Sequence, residues 1–433
     1  MINPYTKLYF YAVLAFLSTV ICSFFIIYFP AAGGDGVAYK LVANNILRGC
    51  GVSMSDIESQ VCIPHFGGNQ GPGYPAFIAL VWAISGYSDF AVRMLQAIIY
   101  TASIIYLVES LKHYTGSFKI SLIIGVVLII SPLHVGWPRF ILTETLAIAG
   151  TLWIFAEIIK SLQAQKLRIL PIAFALVFTT FIRLDAILVL FPVITTAFIV
   201  HKPIYACKKL IYVGLIFALP WTGWIARNYL VGLENVFEPK HAEFFNEAPG
   251  FFKWTRSWST HQYSAIAVHY PFNRKQYNEM LIADEAYSSE NEKEVITLLL
   301  EELVKYNNGP FPSHIDAQFS KLAEQRIKSA PFEYYLILPV KRVINFWLNL
   351  NAGYGLPSFG DNLSNKDRLE LANGDFKQKL LLVTEYPFII LSRIFAQSWK
   401  LVLYAGFIAA CWISFRDKNF DYRDLLFVAV SFI

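Results

Sequence analysis

LYFYAVLAFLSTVICSFFIIYFPAAGGDGVAYKLVANNILRG, residues 8–49, decides how the rest of the chain is read. Leu8 to Phe29 is an apolar run of 22 residues. That exceeds the ~7–15 residues of a secretory leader's apolar core and matches the ~20 a helix needs to cross a bilayer, so the run is expected to stay as a membrane span. Ala31, Ala32 and Gly33 resemble a leader cleavage site, but cutting there would remove almost nothing functional. Beyond them the chain leaves through glycine and immediately presents Asp35, an acid at the membrane surface.

Of the 433 residues, 56% are hydrophobic and only 15% charged, more apolar surface than one soluble core of this size needs. The composition implies an all-α polytopic membrane protein. The net charge of +5 matters less than its distribution. Connectors 111–119, 160–168 and 201–209 carry Lys112, Lys119, Lys160, Lys166, Arg168, Lys202, Lys208 and Lys209 without one Asp or Glu, the mark of cytoplasmic loops. Residues 230–333 hold more acids than bases, which suits the outside.

This sidedness organises the chain. Residues 31–89 form a first outer loop with two short apolar segments. Between Asp35 and Arg48, Val37, Leu41, Ile46 and Leu47 alternate with Lys40, Asn44 and Asn45, as in an amphipathic helix lying flat. GPGYPAFIALVWAISG, 71–86, is too short to span and is expected to rest on the surface. Phe90 to Leu111 returns to the cytoplasm. Lys119 to Lys160 makes two crossings, with an outer tip at Ser131-Pro132 and Trp137-Pro138-Arg139 and with Thr143 and Glu144 just beyond.

Arg168 to Val200 would make a helix of ~50 Å, too long for a ~30 Å core. Arg183 and Asp185 interrupt its middle, where each would cost about 2.5–3.5 kcal/mol on insertion scales. A second hairpin puts both at the outer edge and keeps the basic connectors inside. A seventh span, Leu210 to Tyr229, leads to an external segment, 230–386, with helices expected over 292–306 and 315–329. Pro339, Lys341 and Arg342 turn 333–350 into an interfacial helix. Pro387 to Trp412 crosses inward, and a last apolar run from Leu425 stops at Ile433, incomplete. The expected parts are a core over 1–229, the external segment 230–386 and C-terminal spans over 387–433.

On this topology Asp35, Arg139, Glu144, Arg183, Asp185 and Arg227 all reach the outer ends of spans. Ionisable groups at membrane depth mark functional sites, and acids among arginines suit a site that moves a proton and handles a phosphate. Plainer readings exist for each. Asp35 is also placed to cap the flat helix, and Glu144 to face the dipole of the fourth span. Arg183 and Asp185 can neutralise each other, and Arg227 can anchor its helix at the interface. His65, His134, His241 and His261 lack a ligand spacing, so no metal residues are assigned. Cys22 and Cys411 lie in apolar runs; Cys50 and Cys62 bracket a short external loop and are expected to pair in an oxidising compartment.

The chain resembles the GT-C fold polyprenyl-phosphate-sugar glycosyltransferases, the group containing protein O-mannosyltransferases and the lipid A aminoarabinose transferase. The resemblance is carried by GDGVAY (34–39), GPGYPAFIAL (71–80), RFILTETL (139–146), FIRLDA (181–186), PWTGWIARNY (220–229) and VKRVINFW (340–347), in that order. It implies a GT-C-like bundle of about 8 to 9 spans with juxtamembrane helices. The family's first-loop Asp is its catalytic base, which carries over to Asp35 alone. The family often has a second acid directly after it, where Gly36 stands here. Tyr39, Arg139, Glu144, Arg183 and Arg227 become candidate substrate-binding residues.

The expected function is transfer of a hexosyl or pentosyl unit from a polyprenyl-phosphate donor to a hydroxyl of a lipid, glycan or protein acceptor, with inversion. The site would face the periplasm from the inner membrane. No cofactor is assigned, a divalent metal is left open, and membrane lipids but no nucleic acid are expected partners. A transporter or flippase for lipid-linked saccharides is the rival class. Against it stand the absence of an inverted repeat, the large external segment and the gathering of charges at one face.

Overall fold

The computed structural model describes residues 4–31, 34–65, 71–233, 247–260, 268–269, 271–348, 355–356, 384 and 387–416. The apolar run after Leu425, and His241 and His261, lie outside the described residues. Among the described residues there is no strand; two isolated bridges, Ala31 with Phe140 and Ser53 with Pro64, are the extended pairings found. The chain is all-α, as its composition implies. It divides into two units, residues 1–239 with 353–433 and residues 240–352.

The first unit begins with α1 (Pro4–Tyr28), the short helices α2 (Gly34–Leu47) and α3 (Gly73–Ser85), and the long α4 (Asp89–Thr115). Then come α5 (Phe118–Ile130), α6 (Glu144–Gln163), α7 (Ile169–Ile182), α8 (Leu190–Val200) and α9 (Pro203–Leu230). Boundaries follow local chemistry. The Ser88 and Ser117 hydroxyls accept from Ala91 and Ile120 N–H groups to start α4 and α5, satisfying donors that a helix start leaves open. Residues 8–28 of α1 together with α4, α6 and α9 are long and apolar enough to cross a membrane. At 13 residues, α5 is shorter than the ~20 residues a crossing helix needs. It ends at Ile130, since Pro132 has no N–H with which to continue the helix. The turns and the short 3-10 stretch of 131–143 that follow form the tip between α5 and α6, much of it buried in the protein.

The core explains the order of the helices. Ile104 and Val108 of α4 pack against Leu14 and Cys22 of α1 and against Ala149 and Ala156 of α6, all buried. A second cluster joins Ile154 and Ile158 of α6, Ile172 and Leu176 of α7, Val193 and Ala197 of α8, and Val213 of α9. The expected second hairpin forms. α7 ends at Ile182, a 3-10 turn over Leu184–Val189 follows, and α8 runs back until the Leu167 N–H meets the His201 ring nitrogen at 3.3 Å. The helix breaks at Arg183 because continuing it would carry the charges of FIRLDA into apolar surroundings.

At the end of the bundle holding connectors 113–118, 161–168 and 201–202, two carboxylates tie helices together. Glu157 of α6 is fully buried and takes Arg168 at 2.6 Å and the Tyr106 hydroxyl of α4. Glu109 of α4 receives Tyr11 of α1, Lys112 and His113. Buried carboxylates survive among apolar helices only when paired in this way.

His134 lies in the tip after α5, beside the Tyr100 ring, its buried Nδ1 without a hydrogen-bond partner. Burial pushes its imidazole down to about 4. A depressed pKa stabilises the fold above the unfolded value near 6.5, and that contribution is lost as pH falls toward 4. Thermal unfolding at pH 7 and pH 4 is therefore expected to show acid lability that His134→Phe reduces by up to about 3 kcal/mol. An unchanged pH profile in the variant would exclude this source.

The second unit contains α10 (Pro249–Arg256), α11 (Glu290–Val304), α12 (Ser313–Ser329) and α13 (Leu338–Leu348). The periodic stretches expected over 292–306 and 315–329 are α11 and α12. Its core is aromatic: Phe251, Trp254, Phe272 and Phe319 are buried, with the Phe251 and Phe272 rings stacked 5.8 Å apart. Back in the first unit, α14 (Pro387–Arg416) brings Phe388 face to face with Phe29 at 5.0 Å.

Candidate active site

The residues singled out in the sequence gather at the end of the first unit where α1, α7 and α9 finish and α2, α3, α4 and α6 begin. Asp35 lies within the first turn of α2, where the helix dipole favours a negative charge. It is exposed. One turn later Tyr39 is 1% exposed and crosses the Tyr74 ring of α3 at 5.3 Å. Burial raises the Tyr39 phenol well above its usual range. The negative charges of Asp35 and Glu144 push the same way, while Arg183 and a hydrogen bond with Thr143 oppose them. Tyr39 thus stays a neutral hydroxyl, and its environment reports three charged groups from α2, α6 and the α7 terminus around one ring.

Glu144 opens α6, at the position the dipole reading assigned it. Arg183 donates through Nη1 to Glu144 at 2.9 Å and to Thr143 at 3.1 Å, and its Nε pairs with Asp185 at 2.8 Å. The pairing with Asp185 anticipated from the sequence is present, and Glu144 is a second partner. Among the described residues Nη2 of Arg183 has no hydrogen-bond partner, so the guanidinium can offer a donor to a ligand.

Gly36 explains why α2 carries a single acid. A Cβ there would stand 2.8 Å from the Ile141 carbonyl oxygen, so the helix start lies directly on the tip segment ahead of Glu144. A second carboxylate at this position would displace that contact.

Two of the expected arginines hold backbone. Arg139 is 2% exposed and donates to the carbonyls of Phe29 at 2.9 Å, Gly355 at 2.7 Å and Leu356 at 3.4 Å. Gly136 allows this approach, since a Cβ there would stand 2.4 Å from the Gly355 carbonyl. Arg227 reaches from α9 to the carbonyls of Val52 and His65 at 2.8 and 2.9 Å, with its guanidinium 5.0 Å over Trp224. Those carbonyls form the neck of the first loop, closed by a disulfide between Cys50 and Cys62 with Cα atoms 5.3 Å apart. Asn45 grips the inside of the loop through the Ser53 and Ser55 carbonyls. Removing the bridge by Cys50→Ser with Cys62→Ser is expected to cost about 3 kcal/mol, read as a lower unfolding midpoint and faster amide exchange over 51–64. Equal exchange in both proteins would show that Arg227 and Asn45 suffice.

Two side chains at this end escaped the sequence reading. Arg93 of α4 has a buried Nε with no partner and a single long contact, Nη2 to the Ala31 carbonyl at 3.4 Å. Its charge is felt by Tyr74, whose phenol is raised well above normal chiefly by burial. The spacing of Asp89 and Arg93 suggests an ordinary pair on a solvated helix face, yet Asp89 pairs with Lys40 of α2 at 3.0 Å. Gln96, fully buried, donates to the Pro138 and Phe140 carbonyls at 3.0 and 2.6 Å and accepts from the Tyr74 hydroxyl at 3.0 Å. Among the described residues no group of three or more His, Cys, Asp or Glu is arranged to hold a metal ion.

The arrangement offers a proton acceptor at Asp35, an uncharged hydroxyl at Tyr39, and guanidinium donors on Arg183 and Arg93 able to meet an anion. No curated protein and no solved structure matches the chain. The family model of dolichyl-phosphate-mannose-protein mannosyltransferases matches residues 69–224, taking in Arg93, Arg139, Glu144 and Arg183 while beginning after Asp35 and stopping before Arg227. That match covers 156 of the 433 residues and, on a chain of apolar helices, supports a membrane glycosyltransferase of the GT-C type.

Proposed function

We propose that the chain transfers a sugar from a polyprenyl-phosphate carrier to an acceptor hydroxyl at the periplasmic face of the inner membrane, with Asp35 as general base. The observation that carries this reading is the convergence of Asp35, Glu144 and Arg183 on the buried Tyr39 ring, with uncommitted donors on Arg183 and Arg93. Asp35 takes the proton of the acceptor hydroxyl as its oxygen attacks the anomeric carbon. The bond from that carbon to the phosphate oxygen breaks, and the carrier leaves as polyprenyl phosphate. One displacement inverts the carbon. Arg183 Nη2 and Arg93 face the charge that grows on the phosphate, while Glu144 fixes Arg183. Tyr39 supplies a hydroxyl for the donor sugar, and Arg139 and Arg227 hold the segments that frame the site.

The test uses purified protein in lipid nanodiscs with radiolabelled polyprenyl-phosphate sugars and hydroxyl acceptors. Label passing from the carrier to the acceptor is the expected result. Saccharide crossing a proteoliposome membrane with its carrier bond intact would favour the transporter reading instead.

A further inference from the structure

Thr143 stands at the N-cap position of α6, where a threonine hydroxyl ordinarily accepts from a backbone N–H in the first turn and holds the helix start. Here it does not. Its backbone is already helical, with φ −69° and ψ −22°, and its side chain makes no cap hydrogen bond. The residue is 1% exposed, and its hydroxyl turns to three side chains instead. Arg183 Nη1 donates to it at 3.1 Å, it donates to Glu144 Oε2 at 3.4 Å, and the Tyr39 hydroxyl shares a hydrogen bond with it. One hydroxyl thus joins the end of α7, the start of α6 and the ring of α2.

The effect on Arg183 follows from the shape of a guanidinium. The group is planar, so holding two of its nitrogens fixes where the third points. Nη1 is held from two sides, by Thr143 and by Glu144 Oε1 at 2.9 Å, and Nε is held by Asp185. The Asp185 side chain is 59% exposed and only two residues from Arg183, a partner able to swing with it. Thr143 and Glu144 belong to another helix and anchor the plane from outside. The hydroxyl also orients without charge. Glu144 and Asp185 already set two carboxylates beside one cation, and a third would weaken its attraction for a phosphate, whereas a neutral acceptor leaves that attraction intact.

We propose that Thr143 is a positioning residue, giving up the α6 cap to aim Arg183 Nη2 at the donor phosphate and to link that aim to Tyr39 of α2. The proposal rests on the reading of Arg183 as the group that meets charge growing on this phosphate. In the donor the phosphate is a diester; in the departing polyprenyl phosphate it is a monoester with more negative charge. A well-aimed guanidinium therefore holds the transition state and the product more tightly than the donor. Losing the aim lowers turnover and product affinity together and leaves the donor KM nearly unchanged.

The test uses the full chain in nanodiscs with Thr143→Val, which keeps the branched shape without the hydroxyl, and Thr143→Ser, which keeps the hydroxyl. For Thr143→Val, kcat with radiolabelled polyprenyl-phosphate sugars should fall about tenfold, and inhibition by added polyprenyl phosphate should weaken by a similar factor. The donor KM should move by less than about threefold, and Thr143→Ser should restore both other values to within about threefold of wild type. A lower kcat with unchanged product inhibition would show a role in the fold alone and overturns the proposal. Thr143→Ser as impaired as Thr143→Val overturns it as well, and so do wild-type values in Thr143→Val. Absence of transfer by the wild-type protein from every donor would instead sink the function proposed above, and this role of Thr143 with it.

Discussion

Asp35→Asn is expected to lower the turnover of sugar transfer by about 10²–10⁴-fold while donor affinity changes little. The amide keeps the size of the side chain but accepts no proton at the pH of the reaction, so the acceptor hydroxyl must attack undeprotonated. Donor contacts are assigned to Arg183 and Arg93, which the substitution leaves in place. Folding should be little affected, because Asp35 is exposed and the α2 dipole favours its charge by only about 0.3–1 kcal/mol. Single-turnover assays beside binding of polyprenyl phosphate separate the two effects. Transfer at the wild-type rate would remove Asp35 as base and leave Glu144 as the acid to test next.

Arg139→Ala is expected to destabilise the first unit by about 3–5 kcal/mol, because it removes a buried cation and leaves the carbonyls it holds without that donor. Phe29 closes α1, while Gly355 and Leu356 lie far along the chain, so one guanidinium holds both to the tip before α6. Arg139→Lys should recover little, since a single ammonium cannot match a planar fork of donors. In the fraction that folds, donor affinity should stay within about threefold of wild type, below the 1.4 kcal/mol that marks a tenfold change. A tenfold loss of donor affinity at unchanged stability would return Arg139 to the substrate-binding residues that the sequence suggested.

The arginines show where reading a sequence runs short. Arg139, Arg183 and Arg227 look alike in the chain, each an isolated cation at the end of an apolar stretch. Only packing separates Arg183, which meets Glu144, from Arg139 and Arg227, which meet carbonyls of segments remote in sequence. Arg93 was missed for the converse reason: Asp89 four residues before it suggests a helix-surface pair, and the partner that takes Asp89 away is Lys40 on another helix. Gln96 carries no charge and gives no signal until the carbonyls it holds are seen.

By itself the sequence determined the all-α membrane class, the break at Arg183, the hairpins, and the gathering of Asp35, Glu144 and Arg183 at one end, because apolar run length and charge placement are local properties that the bilayer reads directly. The tertiary structure alone decided which guanidinium meets a carboxylate and which meet carbonyls, why Gly36 rather than a second acid follows Asp35, and how the first loop is tied to α9. Those outcomes depend on carbonyls and ring faces brought together from distant parts of the chain, and no spacing along one strand of sequence encodes them.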